Sequence, residues 1–141
     1  MSLNTLAFIT LSLMLWLSGC GEANHTATGS TGVDALYQAW QQQRSNIQVS
    51  GSGIVTRVLA DDNKGSRHQR FILKISGQQT LLIAHNIDLA PRLANLRKGD
   101  TVEFNGEYEW NTQGGVVHWT HKDPQGRHPN GWLRHHGQQY W

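Results

Sequence analysis

The sequence predicts a mainly β domain: a closed barrel of five strands, with a helix ahead of it and a short helix between the third and fourth strands. Three observations carry this prediction. Alternation of apolar and polar residues begins at Ile47 and recurs in five stretches, turn-forming clusters separate those stretches, and one helical pattern interrupts them after the third. The chain has a single cysteine, so the domain contains no internal disulfide and must be held by its core.

The first helix is predicted from residue 33 onward, where Val33, Leu36, Tyr37 and Trp40 fall at helical spacing. Asp34 near its start and Arg44 near its end suit the helix dipole, and Gln41-Gln42-Gln43 is polar enough to face water. Residues 47–59 read as a long first strand, with Gly51 and Gly53 where a bulge or bend would sit. Asp61-Asp62-Asn63-Lys64-Gly65 is a turn, residues 67–76 are the second strand, and Gly77-Gln78 suits a two-residue hairpin loop into a third strand over 79–87. Asp88 is the expected N-cap of the short helix, whose apolar stripe is Leu89, Leu93 and Leu96 and whose end is Gly99-Asp100. Residues 101–110 and 115–121 form a second hairpin around Asn111-Thr112-Gln113-Gly114. Three strands, a short helix and two strands is the order of an OB-fold, a five-stranded Greek-key barrel. A β-sandwich or another small barrel would share the alternation.

The domain is expected over residues 33–141, after a signal peptide at 1–19 and a Thr/Ser/Gly-rich flexible tether at 20–32. Leu6 to Leu17 is apolar but shorter than the roughly 20 residues of a membrane-spanning helix. Leu17-Ser18-Gly19-Cys20 resembles the lipobox of bacterial lipoproteins, although Met1 to Ala7 lack the basic residues usual there. The resemblance implies lipid on Cys20 and a place in the cell envelope, with the membrane as partner. Gly21, where retained lipoproteins carry aspartate, implies the periplasmic face of the outer membrane. With 12 Lys/Arg against 10 Asp/Glu and no basic run, nucleic acid is not an expected partner.

Strand parity sorts the polar side chains. Val102, Phe104, Tyr108 and Trp110 share one face of the fourth strand, and Glu103, Asn105, Glu107 and Glu109 share the other. A loop at 111–114 sets Tyr108 opposite Val117, Glu107 opposite His118 and Asn105 opposite Thr120, which matches like with like. In the first hairpin, a Gly77-Gln78 loop sets Leu73 opposite Leu82 and Phe71 opposite Ala84 as the core face. Arg70 then opposes His85 on the reverse face, beside His68. The predicted ligand platform is this outer face, with His68, Arg70, His85, Glu107, His118 and Trp119 as contacts.

The last 24 residues hold five of the eight histidines and three of the six tryptophans. His118, His121, Asp123 and His128 are ligand types for zinc, but His118 and His121 point oppositely in a regular strand, so sharing a metal requires a bulge or a strand that ends near Thr120. Turns at Asp123-Pro124-Gln125-Gly126 and Pro129-Asn130-Gly131 fold the tail back, with Trp132 expected to plug the barrel.

Four stretches carry a family resemblance: His68-Gln69-Arg70-Phe71-Ile72, Ile83 through Pro91, Gly106-Glu107-Tyr108-Glu109-Trp110-Asn111 and His118-Trp119-Thr120-His121. The chain resembles a bacterial family designated domain of unknown function 3465, noted for a HWTH motif. The resemblance implies no catalytic residue and no cofactor. The expected function is therefore argued from the residues alone: a non-enzymatic module that binds a small polar or anionic ligand, or an envelope protein, on the barrel's outer face. The alternative is a hydrolase, with or without metal, acting on phosphodiesters or envelope polymers through the histidines.

Overall fold

The computed structural model describes residues 32–77 and 79–141; the expected signal peptide, Cys20 and all but the last residue of the tether lie outside them. Helix α1 (Gly32–Gln41) precedes strands β1 (Ile47–Val58), β2 (His68–Ser76), β3 (Gln79–Asn86), β4 (Thr101–Glu109), β5 (Val116–His118), β6 (Trp132–His135) and β7 (Gln138–Tyr140). β1 pairs with both β2 and β4, β2 with β3, β3 in parallel with β5, and β5 with β4. That circuit closes a five-stranded barrel of OB-like order, as predicted.

Alternation fills the barrel. Val55, Phe71, Leu73, Leu81, Ile83, Val102, Phe104, Tyr108, Val117 and Leu133 are buried inside, where each such side chain contributes about 1.5–3 kcal/mol by leaving water. Leu36 and Ala39 of α1 join this core, while Tyr37 stays exposed. The helix is held to the β4–β5 loop by reciprocal indole bonds: Trp40 Nε1 donates to the Asn111 carbonyl at 3.2 Å and Trp110 Nε1 to the Trp40 carbonyl at 3.0 Å.

Three sequence expectations are corrected. The segment between β3 and β4 is built of turns, not helix, because side chains take its backbone groups. Gln69 bonds both the N–H and the C=O of Leu93 (2.9 and 3.1 Å), and Asp100 accepts the Arg97 N–H at 2.9 Å. Asp88 caps nothing there; its carboxylate accepts from Arg67, backbone and side chain.

The second correction concerns register. Ser76 pairs with Gln79 as the hairpin loop requires, but a bulge between Lys74 and Ser76 slips every later pair by one. Leu73 therefore faces Leu81, Phe71 faces Ile83 and Arg70 faces Ala84. On β3 the inward set becomes Leu81, Ile83 and His85, so His85 leaves the outer face for the interior.

The third is the tail. β4 pairs with β5 through its C-terminal half and with β6 through its N-terminal half, and β1 runs along its other edge. β5 and β6 thus occupy one slot, interrupted by an excursion over residues 119–131. β7 pairs onto β6. Leu133, not Trp132, plugs the core: Trp132 lies outside, beneath the Arg134 guanidinium. Thr120 has no partner on β4, because Asn105 pairs with Trp132 instead.

Candidate functional site

The excursion begins where Trp119 takes φ 53°, a left-handed conformation that costs a residue with a Cβ about 1–2 kcal/mol and here turns the chain out of the sheet. It ends at Gly131, whose N–H donates to the His121 carbonyl at 2.9 Å. A Cβ on Gly131 would lie 1.8 Å from the Trp119 carbonyl oxygen, so only glycine permits the two ends to meet. Within the loop Asp123 is a cap: its carboxylate accepts the backbone N–H groups of Gln125, Arg127 and His128. Those bonds, the Gln125 one foremost, hold its pKa below the usual carboxylate range.

The loop places a small polar cluster over β4 and β5. Glu107 faces His118 across the pair, as expected. His128 returns from the loop to set Nε2 2.6 Å from Glu107 Oε2, while its Nδ1 lies 2.8 Å from the Pro129 carbonyl. Both ring nitrogens face acceptors, so both must donate, and the ring is an imidazolium. Burial opposes that charge, but the Glu107 hydrogen bond, the Pro129 carbonyl and the nearby carboxylates outweigh it and raise the pKa. Trp119 lies flat on this ring, 4.1 Å between centroids with planes 9° apart, so the cation sits on an indole face.

His118 Nε2 is sealed from solvent without a hydrogen-bond partner. It stands 3.6 Å from Glu107 Oε1 and 3.8 Å from Glu109 Oε1. Burial lowers its pKa, prevailing over the pull of the two carboxylates, so the ring is neutral near pH 7.

Beside this cluster runs a groove on the outside of β2, β3 and β5. Two hollows of about 340 and 210 Å³ share His68 and His118 in their walls. In the larger, Ala84 and Val116 make an apolar floor between Asp62, Arg70 and Glu109. Trp119, His121, Asn86 and Leu89 line the smaller. Arg70 is oriented by the Ala60 carbonyl, to which Nε and Nη2 donate at 3.2 and 3.1 Å. His68 Nδ1 donates to the Ser66 carbonyl at 2.8 Å, which fixes the orientation of the ring.

Of the six expected ligand contacts, His68, Arg70, His118 and Trp119 come together along this groove. Glu107 buttresses His118 and His128 from the side. His85 is not part of the groove. It is fully buried, with Nε2 donating to the Pro91 carbonyl at 3.0 Å and Nδ1 accepting from Thr120 Oγ1 at 2.8 Å. Desolvation dominates over the Pro91 bond and depresses its pKa to about 4.

The expected zinc set does not converge. Asp123 is occupied by backbone donors, His128 by Glu107 and Pro129, and His121, almost wholly buried, donates Nδ1–H to the Lys122 carbonyl at 2.7 Å. Among the described residues, the groups whose ligand atoms lie within 4.8 Å of one another are Glu107, Glu109 and His118, and Asp100, His135 and His136. Sequence reasoning passed over Glu109 and Asp62. Parity had placed Glu109 beside Glu107, and that was the available signal.

Among curated proteins none matches this chain. A family model described as a protein of unknown function, DUF3465, matches residues 22–141, which takes in the whole barrel, the groove and the excursion. That description carries no activity and favours neither hydrolysis nor binding. By the extent of this match, the chain belongs to the DUF3465 family.

Proposed function

We propose that this protein is a non-enzymatic binding module for a small polar or anionic ligand, tethered to the bacterial envelope by lipid on Cys20, at the periplasmic face of the outer membrane. The observation that carries the reading is the shared wall of His68 and His118, with Arg70 close by, over an apolar floor of Ala84 and Val116. An apolar floor with a few convergent polar groups is the ordinary make-up of a ligand site, and the larger hollow, about 340 Å³, suits a molecule of about ten heavy atoms at the roughly 30 Å³ that a water occupies. Arg70 would grip a carboxylate or phosphate with the N–H groups not spent on Ala60, while Asp62 and Glu109 favour a ligand that also carries donors. The run from Leu6 to Leu17 followed by Leu-Ser-Gly-Cys supports the anchor.

The test is an amide NMR titration of the full-length protein with carboxylates, phosphate esters and zwitterionic amino acids. Saturable shifts centred on Ala84 and Val116 are expected for at least one class. Arg70→Ala should weaken that binding roughly 10–100-fold, the loss of one charge-assisted hydrogen bond worth about 1.5–3 kcal/mol. Shifts that map away from the groove, or an affinity indifferent to Arg70→Ala, would overturn the reading.

A further inference from the structure

We propose that Glu107, Glu109 and His118 form a binding site for a single divalent transition-metal ion, zinc being the natural occupant, at the edge of the groove. The site shares His118 and Glu109 with the groove of the small-ligand reading, but neither reading requires the other.

Its first support is spacing. Two ligands on bonds of about 2.1 Å at the tetrahedral angle lie about 3.4 Å apart. His118 Nε2 lies 3.6 Å from Glu107 Oε1 and 3.8 Å from Glu109 Oε1, too far for a hydrogen bond and close to a shared coordination edge. The second is the state of Nε2, a polar atom shielded from water with no donor or acceptor to satisfy it. Such an atom costs about 1–3 kcal/mol unless something occupies the gap before it.

The third is charge. His128 is hydrogen-bonded to Glu107 Oε2 and leaves Oε1 facing His118. Two carboxylates within reach of one imidazole nitrogen suit a dication. A ligating carboxylate whose other oxygen is held by a hydrogen bond is the usual outer support of a metal centre, and His128 stacked on Trp119 supplies it. Mixed imidazole and carboxylate donors favour zinc and its neighbours over magnesium or calcium, which prefer oxygen alone. The other cluster is the weaker rival: His135 Nε2 is already bonded to Asp100 Oδ2 at 2.9 Å, and His136 is mostly exposed to water.

The test is calorimetric titration of untagged full-length protein with zinc chloride, repeated in excess magnesium and calcium. One equivalent, not displaced by either hard cation, is expected. His118→Ala and Glu107→Gln should each weaken it at least about 100-fold, whereas His136→Ala should leave it unchanged. The His118 imidazole carbons should shift on zinc addition, a readout on the wild-type protein that does not depend on any variant folding. No saturable zinc at about 100 µM, a site lost with His136→Ala in place of His118→Ala, or unmoved His118 resonances would overturn the proposal.

Discussion

Acid should weaken this protein through one interior residue, His85. Its ring is fully buried and neutral, wedged between Thr120 Oγ1 and the Pro91 carbonyl, with a pKa lowered from 6.5 to about 4. Below pH 6.5 the unfolded chain takes up a proton at this position that the folded chain refuses. The stabilisation is therefore complete above pH 6.5, shrinks as pH falls, and is gone once the folded ring protonates near pH 4. A depression of this size, at about 1.4 kcal/mol per unit, corresponds to about 3 kcal/mol in all. Most of that is spent by pH 4.5. His85→Gln keeps a donor for Pro91 but cannot titrate, and should cost about 1–2 kcal/mol at pH 7 for an imperfect hydrogen bond. The two stability profiles should therefore cross at a pH of about 5.5, with the variant the more stable protein below it. Urea unfolding midpoints between pH 4.5 and 7.5 supply the profiles, and imidazole NMR supplies the His85 titration. Parallel profiles, or a His85 resonance that titrates near 6.5, would refute the reasoning.

Other substitutions probe the frame of the site. Gly131→Ala should dislodge the loop over 119–131, because the new methyl would meet the Trp119 carbonyl oxygen at 1.8 Å. Its cost belongs at or beyond the upper end of the roughly 1–3 kcal/mol seen for overpacking, and loss of Trp119–His128 contact should appear in tryptophan fluorescence. Leu133→Ala, which empties a fully buried position on β6, should lower stability by about 2–5 kcal/mol in denaturant unfolding. Cys20→Ser should abolish labelling by a radioactive fatty acid and release the protein from the membrane fraction; continued labelling would exclude lipid on Cys20.

Much of the barrel was legible because its strands alternate cleanly and its turns are compositional. β4 shows this best: Val102, Phe104 and Tyr108 are buried, and Glu107 faces His118 as the Asn111–Gly114 loop demanded. β3 misled because residues 81 to 84 are apolar throughout, so either parity supplies a core face. Only the bulge beyond Lys74 decides between them, and no residue type announces it. The tail hairpin escaped for a related reason. β6 and β7 are only four and three residues long, too short for alternation to show, and they are strands because β4 offers an open half-edge, a fact of topology beyond local sequence. The gathering of Glu109 with His118 needed the cross-strand spacing, and the return of His128 to Glu107 needed the closed loop.

A barrel whose last stave is cut in two can exchange the piece between the cuts. Residues 122–130 leave and rejoin the wall at adjoining points, marked by the Gly131 to His121 hydrogen bond, so lengthening or replacing them need not disturb the staves themselves, provided the buried Thr120 and His121 stay in place. The architecture behaves as a socket for an interchangeable cassette. Relatives that differ in this insert while keeping the surrounding wall would keep the hollow of His68, Arg70 and His118 and change only what borders it, and splicing in a minimal linker should yield a folded shell that retains that hollow.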